Sequence, residues 1–301
     1  RVCQTGTLGS EMNHPAAAHQ RLTDFGLASQ ARQAASLRRV SLVAIGLLAA
    51  LAFAVHVSRF DIWQLLVGIP RVGDFLGGMV PPIRLSSFWS DISSWYWGVG
   101  KWLRLLLTTV TMALFGTVMG TLIGGAFSLF TSANLGARPA TVFVVRRILE
   151  VARTVPDLVW ALIFLFAFGL GPLAGVLAIL VHTVGAQGKL FAETNENADM
   201  RPIEGVRASG GSWIDEIAFG LLPQVSPNYI SYALWRFEMN IRSATIIGFV
   251  GAGGIGMELY ESISLNYFDD AGAILIIVFL TVTLIDMASE ALRSQITGHA
   301  T

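Results

Sequence analysis

Charge is scarce in this chain, and where it enters apolar stretches it comes in clusters. Glu150, Arg153, Thr154, Pro156 and Asp157 fall together in one such stretch, and Arg236, Glu238, Arg242, Ser243 and Thr245 in another. An Arg at the centre of a membrane-crossing helix costs about 2.5–3.5 kcal/mol on insertion scales, so such charges face a partner or an interior path. Glu238 and Arg242 stand four apart and pair on a helix; Arg153 and Asp157 have the same spacing, across a turn that Pro156 distorts. A guanidinium is planar and meets two oxygens at once, so the chemistry on offer is transient capture of an oxyanion such as phosphonate or phosphate. The competing reading is that these charges are internally paired struts. Both readings stand for Arg242, whereas Arg146 and Arg147, near the end of their run, read as struts. His56 and His182 lack a second ligand at metal spacing and read as local polar contacts, so no metal site is expected.

A second set of residues lies in a polar stretch between apolar runs. It reads Glu204-Gly205-Val206-Arg207-Ala208-Ser209-Gly210, then nine residues, then Gly220-Leu221-Leu222-Pro223. A helix over 197–209, a tight turn at Gly210 and Gly211 where a side chain would be obstructive, and a second helix over about 212–221 are expected, with Pro223 opening the next apolar segment. The glycines Gly251, Gly253, Gly254 and Gly256 include the Gly-x-Gly-x-x-Gly pattern of dinucleotide sites. That pattern needs a strand before it and an acid about 20 positions on. Here it follows a long apolar run, so it reads as a flexible turn or gate.

The elements that must position these residues are helices in a bilayer. Of 301 residues, 53% are hydrophobic and only 13% charged, against about a quarter charged in soluble domains. Twenty basic residues balance twenty acidic ones, which argues against nucleic acid as a partner. The single cysteine, Cys3, excludes an intramolecular disulfide. With about 20 apolar residues needed per crossing, the expected spans are Val40–Val57, Leu105–Phe130, Thr141–Gly169 interrupted at Pro156, Pro172–Phe191, 224–250 and 271–292. The fold class is therefore all-α, a polytopic membrane protein of about six transmembrane helices. Residues 1–37 read as a cytoplasmic N-terminal tail, 38–103 as the first span plus an extracytoplasmic or interfacial segment broken by prolines, 104–293 as the core with a cytoplasmic loop over 196–223, and 294–301 as a C-terminal tail. Gly116, Gly120 and Gly124 put small residues on one helix face, for a contact either between subunits or within one bundle.

The polar loop resembles the cytoplasmic coupling loop of ABC importer permeases: Glu-Ala-Ala, three residues, Gly, nine residues, then Ile-x-Leu-Pro. Glu204, Gly210, Leu222 and Pro223 match, while Gly205 and Val206 replace the two alanines and Gly220 the isoleucine. The runs 153–161, 168–178, 188–193 and 236–245, the last leading into the glycines that end at Gly256, look like the phosphonate importer permease (PhnE type). The resemblance covers roughly residues 100 to 293 and implies a type I ABC importer (MetI-like) permease fold in a bacterial inner membrane. It further implies a homodimer, two cytoplasmic ATPase subunits that bind ATP and Mg, and an extracytoplasmic substrate-binding protein. Substrates of that family include phosphonates, with phosphite or phosphate in some members. The chain itself has no Gly-x-x-x-x-Gly-Lys-Ser/Thr loop, so it is not expected to be an enzyme. The rival expectations are a permease of the same architecture for methionine or another small nutrient, and a secondary carrier.

Overall fold

The computed structural model describes residues 15–297 apart from 83, 85 and 137, with side chains described from 36 to 296. Among the described residues every regular element is a helix. The chain divides into two units, Arg1–Val72 and Gly73–Thr301.

The first unit is built on α1, Pro15–Ser58, which contains the expected first span. The helix does not start at the basic flank Arg38–Arg39. It begins at Pro15, so all but residues 1–14 of the expected tail are helical, and those fourteen lie outside the described residues. The Ala- and Gln-rich composition explains this, since both residues are strong helix formers that need no apolar face. α2, Ile62–Gly77, spans the boundary of the units and carries Pro70 inside it, where the sequence led us to expect a break.

The second unit holds α3 (Phe88–Trp95), α4 (Val99–Thr131), α5 (Pro139–Thr154), α6 (Asp157–Phe168), α7 (Pro172–Glu196), α8 (Met200–Ala208), α9 (Trp213–Asp215) with a π-helical turn over Glu216–Leu221, α10 (Leu222–Ile247), α11 (Gly254–Ser264) and α12 (Phe268–Thr297). Among the described residues, four helices are long and apolar enough to cross a membrane: the Ser36–Ser58 part of α1, then α4, α7 and α12. A fifth crossing arises if the bent pair α5–α6 counts as one. α10, the expected fifth span, has 26 residues but carries Arg236, Glu238 and Arg242. The residues expected as a C-terminal tail continue α12 as far as Thr297, and 298–301 lie outside the described residues.

The core of this unit is the α4–α7 pair. A Cβ on Gly116 would lie 2.7 Å from Ile179 Cγ2, on Gly120 2.6 Å from Thr183 Cβ, and on Gly124 2.9 Å from the Val184 carbonyl. The glycine stripe therefore serves close packing within the chain. The opposite side of α4 shows Leu103, Leu107, Phe115, Val118 and Leu122 on the surface, as lipid-facing side chains should be. Buried polar groups lock this core: Asn240 of α10 donates to Thr117 Oγ1 at 2.8 Å and to Thr183 Oγ1 at 2.9 Å.

α5 and α6 are two arms of one broken span, bent by 90°. Pro156 lacks an N–H and pushes Val155 into extended backbone, ψ 123°, so the helix must stop and restart. The return into α7 uses Gly169 and Gly171 at φ +86° and +141°.

Candidate functional site

The loop between α7 and α10 folds as a braced helical hairpin. Asp199 caps α8 by accepting from Arg201 N at 3.0 Å, and its carboxylate also takes the Arg201 guanidinium at 2.6 Å. Ile203 points inward, fully buried with Leu135, Leu221 and Val225, whereas Glu204, Gly205, Arg207 and Ala208 face outward. Gly210 turns the chain at φ +86°. The expectation of steric obstruction there needs correcting, because nothing lies within 4 Å of a Cβ built on Gly210. Its requirement is conformational, since left-handed backbone disfavours any residue with a Cβ. Obstruction applies to Gly211, whose Cβ would stand 2.7 Å from Val206 Cγ1.

The return arm starts with a capping box in which Ser212 N and Oγ donate to Asp215 Oδ2 at 2.8 and 2.6 Å. Glu216, 8% exposed, takes a two-pronged pair from Arg207, Nε to Oε1 at 2.8 Å and Nη2 to Oε2 at 2.7 Å. That guanidinium holds the Glu216 carboxyl below its usual range, as Arg201 does for Asp199 and the Ser212 hydroxyl for Asp215. Trp213 Nε1 donates to the Leu135 carbonyl at 3.2 Å. Gln224, at the start of α10, bridges Gly220 O at 2.6 Å and Asp199 O at 3.1 Å. Leu222 and Pro223 open α10 as expected. The hairpin is thus pinned to the end of α4 and the entry to α10, while its outer face stays free.

The charges clustered in the apolar stretches resolve into two separate places. On α10 and α12, Arg242 Nη2 bonds Glu238 Oε1 at 2.6 Å, as the spacing implied, and also Asp286 Oδ2 at 3.0 Å. The second oxygen of Glu238 faces Arg293 at 3.6 Å. Neither Asp286 nor Arg293 entered the sequence reading of this cluster, although Asp286 is a visible lone acid in an apolar run. Ser243 is half-buried, and Thr245 folds back on Ile241 O at 3.1 Å.

Arg236 instead faces the elbow of the broken span. Its Nη2 bonds His182 Nδ1, and His182 Nε2 bonds Arg153 O at 3.1 Å. The expected Arg153–Asp157 pair is absent among the described residues. The 90° bend between them removes the common helix face that a four-residue spacing needs. Asp157 accepts from Leu158 N at 3.0 Å, while Thr154 and Pro156 are exposed at the elbow.

The glycine turn after α10 is tethered. Gly251 O accepts from Gly171 N at 3.1 Å, and Ile255 N donates to Thr109 Oγ1 at 2.9 Å. Gly251, Gly253 and Gly254 have φ of +103°, +78° and +72°. A Cβ on Gly256 would run into the Thr245 carbonyl. No group of three or more metal-ligating side chains occurs among the described residues.

Residues 128–296, more than half the chain, match the model of the binding-protein-dependent transport system inner membrane component family. A phosphite transport system permease, PtxC of Stutzerimonas stutzeri, is 35% identical over 240 residues, 80% of this chain and 83% of the relative. A putative cryptic phosphonate transport system permease of Escherichia coli is 47% identical over 120 residues, 40% of this chain and 98% of that protein. Among solved structures, the MetNI methionine ABC transporter in an inward-facing conformation matches with a TM-score of 0.57 at 18% identity, over 65% of this chain and 95% of that one, a likeness of fold. The chain belongs to the family of multi-pass inner membrane components of binding-protein-dependent transport systems.

Proposed function

We propose that two copies of this chain form the path through which an ATP-driven importer moves a phosphorus oxyanion, phosphonate first and phosphite or phosphate next. The observation that carries this reading is the braced hairpin over 199–223. Its inner face is pinned to α4 and α10, and its outer face, with Glu204, Gly205 and Ala208, is free. A rigid element of that kind is what a transporter needs if the nucleotide is hydrolysed on another protein. Two separate ATPase subunits, holding ATP and Mg, would seat on these hairpins, and their closure would rock the paired chains between inward- and outward-facing states. A binding protein on the far side delivers the substrate, and the tethered glycines 251–256 would serve as the turn about which α11 and α10 adjust. The substrate class is taken from the relatives, one a phosphite permease and one a putative phosphonate permease. Arginine donors suit it, because they meet phosphorus oxyanions two oxygens at a time.

The test is uptake of labelled 2-aminoethylphosphonate into proteoliposomes carrying this chain with its candidate ATPase and binding protein. ATP-dependent uptake, competed by other phosphonates, supports the reading, and competition by phosphate alone at low concentration moves the substrate to phosphate. Uptake without ATP would instead identify a secondary carrier. ATP-dependent uptake of methionine and no oxyanion would leave the architecture and remove the substrate.

A further inference from the structure

We propose that Arg236, held in place by His182, is the cation that meets the anion in transit, and that Arg242 is a structural strut. The inference rests on the oxyanion reading above and narrows it to one side chain.

Three arginines, Arg153, Arg236 and Arg242, stand within or beside the polar clusters of the spans. Arg242 lies between two carboxylates, Glu238 at 2.6 Å and Asp286 at 3.0 Å, and Glu238 also faces Arg293. A guanidinium clamped in this way presents an arriving anion with little net positive field, and detaching it would strand two carboxylates. Arg236 is in the opposite condition. Among the described residues no carboxylate lies within ion-pair distance of it, and its Nε–H is buried without a partner. Its one hydrogen-bond partner among the described residues, His182, is neutral, and the pairing fixes the tautomer. A guanidinium only donates, so Nδ1 must accept; the Arg153 carbonyl only accepts, so Nε2 carries the proton. A second helix element is thereby engaged. The break at Val155–Pro156 ends α5 just beyond Arg153, whose carbonyl is free to orient the imidazole.

The result is a half-buried cation with no ion-paired carboxylate among the described residues, facing the elbow of a discontinuous span, with α6, α7 and α10 converging on it. A buried donor without a partner costs free energy that a passing acceptor recovers. An anion with several oxygens fills that role, and because the site is one cation held by one neutral ring, it releases what it admits. Broken spans of this kind are where transporters place groups that handle substrate. Asp157, at the start of α6, also acts electrostatically on both Arg236 and His182, and it makes no ion pair with either.

The experiment uses the complete complex in proteoliposomes, with labelled 2-aminoethylphosphonate uptake and ATP hydrolysis read on the same preparation. Arg236→Gln is expected to lower uptake per complex by about tenfold or more, with ATP hydrolysis within about twofold of wild type, the loss of one charge-assisted contact. Arg236→Lys, which keeps the charge but loses the fork, is the second variant should the glutamine form insert poorly; it should raise KM for uptake. His182→Leu should fall between, and His182→Gln, which still accepts from Arg236 and donates to Arg153 O, should restore most of the uptake. Arg242→Gln should lower the yield of folded complex but not uptake per folded complex. Wild-type uptake in Arg236→Gln and Arg236→Lys overturns the assignment while leaving the substrate reading intact. So does a loss confined to Arg242→Gln. No ATP-dependent uptake of a phosphorus oxyanion by the wild-type complex overturns both.

Discussion

Gly205 and Gly210 sit in one hairpin and are both free of neighbours within 4 Å, yet they should respond in opposite directions to the same added methyl group. Gly210 has φ +86°. An L-residue in left-handed backbone costs about 1–2 kcal/mol, and with no clash to add, that is the whole effect of Gly210→Ala. It corresponds to about a 5–30-fold shift toward the open hairpin. Gly205 lies inside α8 with ordinary helical backbone, so Gly205→Ala should gain about 0.5–1 kcal/mol by restricting the unfolded chain. Amide hydrogen exchange of the complex in lipid nanodiscs reads both. The Gly211 and Glu216 amides, which bond Val206 O at 3.0 Å and Ser212 O at 2.9 Å, should exchange faster in the first variant and slower in the second. Equal exchange in wild type and Gly210→Ala would refute the claim that backbone conformation, rather than space, selects glycine at this turn.

Two further outcomes follow from the ion pairs. The carboxyls of Asp199, Asp215 and Glu216 are all held low by their donors, so the stability they give the hairpin is fully present at neutral pH. It begins to fall as pH drops below the ordinary values of 3.8 for Asp and 4.5 for Glu, and is gone once pH passes below the depressed folded values. Limited proteolysis of the 208–216 turn should therefore accelerate on acidification, and Glu216→Gln should flatten that response. Separately, Glu238→Gln should lower the stability of the detergent-solubilised protein by about 1.5–3 kcal/mol, the value of a hydrogen bond to a charged group. Thermal unfolding at the wild-type temperature would count against the strut.

What the sequence made legible were the features fixed over a few residues. The Pro156 break, the hairpin with its positive-φ Gly210, the opening of α10 at Pro223 and the Glu238–Arg242 pair all depend on local spacing, and each stands where the residues implied. What it did not reveal depends on which helices meet. Nothing in the local pattern says that Arg236 faces His182, 54 positions away, or that Arg242 also bonds Asp286, 44 positions away. The cluster Arg236–Thr245 looked like one site because it is one stretch of helix. Arg236 and Arg242 nonetheless serve different neighbours, α7 in one case and α12 in the other. Arg153 and Asp157 failed as a pair for the converse reason, since spacing predicts proximity only while the helix continues. The Gly116-Gly120-Gly124 stripe announced a close contact but not its partner. The contact proved to be α7 of the same chain.

The glycines also separate contacts that can be relieved from contacts that cannot, and this bears on how the hairpin moves. A Cβ on Gly188 would meet the ends of the Leu149 side chain, Cδ2 at 2.8 Å and Cδ1 at 2.9 Å. Gly188→Ala should cost about 1–3 kcal/mol as overpacking, and Leu149→Val, which removes those two atoms' reach, should recover part of it. A Cβ on Gly220 would meet Ile203 Cα at 2.8 Å, Cγ1 at 2.9 Å and N at 3.1 Å. Two of these are backbone atoms and valine keeps the Cγ1 position, so Ile203→Val should give no relief to Gly220→Ala. A double-mutant cycle on thermal stability should therefore show favourable coupling of about 0.5 kcal/mol or more for the 149–188 pair and none for the 203–220 pair. Rescue of Gly220→Ala by Ile203→Val would mean that the two arms of the hairpin touch only through a side chain and are free to slide. Without rescue, the contact is with atoms that valine keeps, Ile203 Cα and N among them, so α8 meets the residues leading into α10 through its backbone as well as its side chain. A displacement of α8 would then be felt directly by α10, the helix that carries Arg236.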